Sequence, residues 1–211
     1  MQLKVYLFED VALKQALQPL TQPRPVAELW VGISSLESKW PTRVLNADQA
    51  EVQVLSAVLP LASTFALLDR LPQDSCYVSA GRILAKKGKG TLPIEQPLPF
   101  LQHPEELLTY QADFLRAEIN GNNPAPGNNT FISAEHIYIH PTAQVQGSIL
   151  DASHGPIHIG EDVNIQIGTL IQGPAALLKG ATTNIGAKIR PNTTIGPGCK
   201  VGGEINHSIF F

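Results

Sequence analysis

The sequence predicts a two-part chain: an α/β domain followed by an all-β solenoid. Three observations predict it. From Ile159 onward an aliphatic residue recurs every sixth position, at Ile165, Ile171, Leu177, Ile189, Ile195 and Val201, with Thr183 the one polar member. Only Gly32, Gly81, Gly88 and Gly90 of the 17 glycines precede residue 121. Between the two compositions lies Asn120-Gly-Asn-Asn-Pro-Ala-Pro-Gly-Asn-Asn-Thr130, with nothing apolar larger than alanine, which reads as a linker or exposed loop. We therefore expect an α/β domain over 1–120, a linker over 121–131 and a solenoid over 132–211.

A period of six suits neither an amphipathic helix nor an alternating strand. It suits short strands joined by tight corners, each coil stacked on the last. Four places after each aliphatic residue stands a small or β-branched one, among them Val163, Thr169, Ala175, Ala181, Ala187, Thr193 and Cys199. Large and small inward columns fill a narrow prism without overpacking it. Earlier hexads begin at Ile139 and Val145, and residues 151–158 run two longer than a hexad, so a bulge is expected there. The repeat resembles the hexapeptide motif of left-handed parallel β-helix proteins. That likeness implies three hexads per triangular coil and assembly into a homotrimer.

In the first domain, Leu3–Phe8 reads as a strand with Glu9 and Asp10 at its carboxyl end, where open α/β sheets bind ligands. Residues 11–18 have helical spacing, which Pro19 ends. Pro19, Pro23 and Pro25 impose extended geometry, and an apolar run then predicts a helix starting near Val26. Residues 43–71 have mixed periodicity and give no assignment. Cys76–Ala80 reads as a strand ending at Gly81-Arg82, followed by a basic patch at Lys86-Lys87-Gly88-Lys89. Pro104-Glu-Glu opens a helix to about Ile119, with Leu107, Leu108, Leu115 and Ile119 on one face and Gly121 as its stop.

Composition narrows the partners. A net charge of −3 and a pI near 6.0 give no reason to expect nucleic acid or an anionic membrane. The N-terminal apolar run is too short for a signal peptide or a membrane span. Cys76 and Cys199, far apart, read as reduced thiols and a cytoplasmic setting.

The segment Leu20-Thr-Gln-Pro-Arg24-Pro25-Val-Ala-Glu28-Leu-Trp-Val-Gly32-Ile33, with Glu37–Trp40 after it, resembles the N-terminal signature of bacterial sugar nucleotidyltransferases. Their relatives include the bifunctional N-acetylglucosamine-1-phosphate uridylyltransferase and glucose-1-phosphate thymidylyltransferase-like proteins. Gly173-Pro-Ala-Ala-Leu, Gly186-Ala-Lys-Ile, Thr194-Ile-Gly-Pro and Val201-Gly-Gly-Glu-Ile-Asn are similar to the solenoid of the same group. The resemblance implies a reduced nucleotidyltransferase-like α/β domain, a sugar 1-phosphate and an NTP as substrates, and Mg²⁺. The chain departs from the pattern in having no glycine before Gly32, where a Gly-rich phosphate loop should follow the first strand. The first domain also falls well short of the usual length, and the uncapped Phe210-Phe211 end leads to the expectation of a fragment of a longer protein.

Several residues carry candidate chemistry. Arg24 would hold phosphate bidentately, with Glu28 also expected at the substrate, against a plain pairing of the two one helical turn apart. Asp10 would hold Mg²⁺, against a role as helix N-cap. Arg82, Lys86 and Lys87 would meet phosphate, against ordinary surface charge. A β-helix acyltransferase using acetyl-CoA is a second function class, with His154 as base, because 151–158 can project outward. A third is a non-catalytic sugar-nucleotide-binding scaffold. For every histidine a surface or structural role is the competing reading.

Overall fold

The computed structural model describes residues 3–121, 124 and 127–211. The expected linker includes residues 122–123 and 125–126, which lie outside the described residues. The chain forms two compact units, Met1–Leu29 with Ser34–Glu106, and Trp30–Ile33 with Leu107–Phe211. In order, the non-solenoid elements are β1 (Val5–Phe8), α1 (Val11–Ala16), β2 (Trp30–Val31), β3 (Ser34–Ser35), β4 (Val52–Leu55), α2 (Ala62–Asp69), β5 (Ser75–Ser79), β6 (Arg82–Lys86), β7 (Leu92–Glu95) and α3 (Glu106–Glu118).

The first unit is built on a mixed five-stranded sheet in the order β1-β4-β6-β5-β7. Strands β1 and β4 are parallel, as are β5 and β7, whereas β6 runs antiparallel to both β4 and β5. Val5, Val52, Val54 and Leu55 are essentially inaccessible, so the β1–β4 pair is the heart of this unit. Strands β5 and β6 meet in a two-residue turn, with φ of 48° at Ala80 and 77° at Gly81. Two positive φ values in succession match the right-handed twist of a hairpin, and glycine takes the second without strain. Two expectations need correction. The apolar run at Val26 makes only a single 3-10 turn, Val26–Glu28, and then extends into β2. Arg82 opens a strand of its own instead of closing the preceding one, because the Ala80-Gly81 turn reverses the chain.

The second unit contains stacked parallel sheets of two- and three-residue strands, as a parallel β-helix requires. One sheet stacks β10 (Gln144–Val145), β13 (Asn164–Ile165), β16 (Thr182–Thr183) and β19 (Lys200–Val201). A second begins at β8 (Thr130–Ile132) and continues through β11 (Ile149–Asp151), β14 (Leu170–Gln172), β17 (Lys188–Ile189) and β20 (Glu204–Ile205). The third holds β9 (Ile137–Ile139), β12 (Ile157–Ile159), β15 (Ala175–Leu177), β18 (Thr193–Ile195) and β21 (Ile209–Phe210). Ile165 lies beside Thr183 and Thr183 beside Val201, a step of 18 residues each time (183 − 165, 201 − 183). Three sheets and an 18-residue step give six residues per side. The expected bulge is an insertion: Asp151 to Ile157 spans six positions where the next coil spans three, Gln172 to Ala175.

The aliphatic column lines the interior, with Ile159, Ile165, Ile171, Leu177, Ile189 and Ile195 fully buried. Burying such a side chain contributes about 1.5–3 kcal/mol. Thr183 is tolerated among them because its hydroxyl pairs with that of Thr169 at 3.0 Å and accepts the Gln166 N–H at 3.1 Å.

On the third sheet an outward column runs Tyr138, His158, Ala176, Thr194. Its small members admit the rest of the unit: Leu115 and Ile119 of α3 cluster with Ala176 and Leu178, and Trp30 and Ile33 pack on them. A closed ring of three bonds completes this contact. The Gly32 N–H donates to Gln111 Oε1 at 2.8 Å, Gln111 Nε2 donates to Thr194 Oγ1 at 2.5 Å, and that hydroxyl donates to the Gly32 carbonyl at 2.8 Å. Every buried polar atom in the ring has its partner, which is the condition for burying them without penalty.

Candidate functional site

The carboxyl ends of β1 and β4 gather the polar groups of the first unit. The chain leaves β1 at Phe8, and the Ser56 N–H prolongs the ladder by donating to the Phe8 carbonyl at 2.8 Å. Glu9 and Asp10 follow Phe8. Each carboxylate is bonded twice. Glu9 accepts the Val26 N–H at 2.8 Å and pairs with Lys14 Nζ at 3.2 Å, which ties the proline-rich 19–25 segment to α1.

Asp10 caps α1. Its Oδ1 accepts the Leu13 N–H at 2.8 Å, and the same oxygen accepts Arg82 Nη1 at 2.7 Å. The Leu13 N–H first, and then the Arg82 guanidinium, hold the Asp10 carboxyl below its ordinary value near 3.8, against an upward push from burial. Both side chains remain about one-third exposed, 35% for Asp10 and 32% for Arg82, so the pair is open to solvent. Directly after β4, Ser56 is 1% exposed and its hydroxyl has no partner among the described residues. A buried hydroxyl left unpaired costs about 1–3 kcal/mol.

The structure thus joins two of the residues singled out from sequence, Asp10 and Arg82, and ties the Arg24 segment to the neighbouring Glu9, since Val26 lies two positions after Arg24. Arg24 is half-buried and Glu28 exposed on this loop. Lys86 and Lys87 lie apart, at the far end of β6, roughly 13 Å along the strand from Arg82. The turn they enter is already occupied. Asp74 Oδ1 accepts the Lys89 N–H at 2.8 Å, and a Cβ on Gly88 would come within 2.4 Å of that oxygen. His154 belongs to the second unit, exposed on the inserted turn. Asp151 lies beside it, held below its ordinary carboxylate range by its bonds to Ser153.

Asp10 is a poor fit for a divalent cation. A guanidinium already neutralises it at bonding distance, and a second cation there would face that charge. Among the described residues no group of three or more His, Cys, Asp or Glu side chains has metal-binding geometry. Ser56 is the residue the sequence reading passed over, and Glu9, noted there only by its place after the first strand, gains a partner in Val26. A serine directly after a buried strand is the signal that could find Ser56.

In the second unit, His158 stacks on Tyr138 with ring centroids 5.0 Å apart and planes 15° from parallel. Burial, with a smaller contribution from His140, pushes its pKa below the usual 6.5. It is therefore neutral at pH 7, in keeping with a packed ring.

No described helix is long and apolar enough to cross a membrane. No curated protein matches the chain. Residues 5–87 match the family model described as sugar nucleotidyl transferase, a span running from β1 through the end of β6 that includes Asp10, Arg24, Glu28, Ser56, Arg82, Lys86 and Lys87.

Proposed function

We propose that the first unit handles the phosphates of a nucleotide in nucleotidyl transfer, in which a sugar 1-phosphate oxygen attacks the α-phosphorus of an NTP and pyrophosphate leaves. The observation that carries this reading is the Asp10–Arg82 pair at the carboxyl edge of parallel strands, within the span that matches a sugar nucleotidyl transferase family. Arg82 and Arg24 are the phosphate contacts, because guanidinium fits phosphate bidentately and carries positive charge to where negative charge gathers. Glu9 sets the Arg24 loop through Val26. Since the carboxylates here suit a resident metal poorly, no step is assigned to one, and Mg²⁺ belongs with the incoming triphosphate as part of the substrate. The full chain incubated with NTPs, Mg²⁺ and a panel of sugar 1-phosphates is expected to release pyrophosphate. Absence of release across the panel overturns the reading.

A homotrimer is the assembly that suits the β-helix. Ile167 and Ile185, 56% and 73% exposed on successive coils beside Gln144, Gln146, Asn164 and Gln166, support a contact between copies there. Sedimentation of the full chain tests it, and a monomer at micromolar concentration counts against it.

A further inference from the structure

We propose that Asp10 is a positioning residue whose carboxylate fixes the Arg82 guanidinium at the carboxyl edge of β1 and β4, where it meets nucleotide phosphate. The inference rests on the nucleotidyl-transfer reading above and changes the role of Asp10 within it from metal ligand to guanidinium holder.

Four observations lead to this role. One carboxylate oxygen accepts both the Leu13 N–H at the start of α1 and Arg82 Nη1 at the start of β6, 72 residues on from Asp10. The Arg82 backbone is set by the two-residue turn before it and by its pairing with Ser79. Its long side chain would otherwise sample many directions, and the capping bond holds the partner carboxylate still. Asp10 is the one side chain that Arg82 bonds among the described residues, through Nη1. The remaining four of its five N–H donors are left to a bidentate anion. Finally, the pair is one-third exposed on both sides, open enough for a phosphate to reach the guanidinium without breaking the Asp10 contact.

Separating the two jobs of Asp10 gives the test. Serine is as good an N-cap as aspartate but too short to reach Arg82, whereas asparagine keeps both the cap and a neutral acceptor. Inorganic pyrophosphate is titrated calorimetrically into the full chain and into Asp10→Ser, Asp10→Asn, Arg82→Gln and Asp10→Ser with Arg82→Gln. Arg82→Gln is expected to weaken pyrophosphate binding about tenfold to a hundredfold, as loss of a charge-assisted contact does. Asp10→Ser is expected to weaken it about fivefold to tenfold and Asp10→Asn by less, with melting temperatures near that of the parent. The Mg²⁺ concentration that half-saturates binding is expected to stay unchanged, and the double variant to bind no more weakly than Arg82→Gln alone.

Additive losses in the double variant, or a raised Mg²⁺ requirement in Asp10→Ser, overturn the inference in favour of direct contact by Asp10. So does unchanged affinity in Asp10→Ser when Arg82→Gln is weakened, and the site reading then survives. No pyrophosphate binding by the parent chain, or full binding by Arg82→Gln, overturns the site reading and the inference together.

Discussion

The two units of this protein are held by opposite means. In the β-helix one contact is repeated: an aliphatic residue lies beside the equivalent residue 18 positions on, from Ile159 to Leu177 to Ile195. In the first unit each contact is made once and over a long sequence distance, as when Asp10 meets Arg82 or Glu9 meets Val26. Repetition spreads stability over neighbours, so a defect in one coil is felt by the coils beside it. Single contacts concentrate it, and here they leave the Asp10–Arg82 pair one-third exposed. The difference teaches which side chains are committed: those of the coils to a column, those of the first unit to partners particular to each position.

The largest effect that tests this contrast is a cavity in the column. Ile171→Ala is expected to lower unfolding free energy by about 2–5 kcal/mol, measured by denaturant titration. Amide exchange should accelerate in β13, β14 and β17, and equal acceleration in β1 and β4 would break the comparison. Next comes Gly32, whose φ of +67° and whose position, 2.4 Å from Glu118 Oε2 and 2.9 Å from Phe114 Cβ for an added Cβ, leave no room. Gly32→Ala is expected to cost about 2 kcal/mol, and a variant as stable as the parent would remove the Gln111 ring from the account of how α3 is fixed.

Titration sharpens the same contrast. His158 has a folded-state pKa below its unfolded value near 6.5, so the unfolded chain binds its proton first as pH falls. Its contribution is whole above 6.5 and is lost as pH drops from there toward the folded value. His158→Gln should flatten the pH dependence of stability below 6.5, and an unchanged slope in chemical denaturation from pH 7 to 5 would sink the point. Asp10 behaves similarly in direction but lower in range: its stabilising bonds are intact above its unfolded value and fade as pH falls beneath it. The smallest effect belongs to the first unit. Ala80 holds a φ of 48°, and Ala80→Asn, better suited to the left-handed region, should raise stability by about 0.5–1 kcal/mol in a thermal melt.

Much of the β-helix was legible because the same residue type answers the same question in every coil. Strand β1, helix α1 and helix α3 were legible too, each bounded by a local signal: acids after Phe8, Pro19, and Pro104 with Gly121. Strand β4 and helix α2 were not. Val52, Val54 and Leu55 are buried together, which erases alternation, and residues 62–69 have no clear apolar stripe. The prediction at Val26 failed because the chain turns extended at Leu29, with ψ of 141°, and goes on to pair as β2 with β3. At the candidate site, residue types were readable and partnership was not. Nothing local in Asp10 announces Arg82, for that meeting is made by the order of strands in the sheet.

The inserted turn at 152–156 carries a practical consequence. Ile157 and Ile159 resume pairing with Ile137 and Ile139 immediately after it, so the extra length disturbs neither the strand before nor the strand after. His154, exposed on that turn, is the place to graft an epitope or reporter peptide, whereas Gly155 packs against the next coil, where an added Cβ would meet Pro174 Cδ at 2.7 Å.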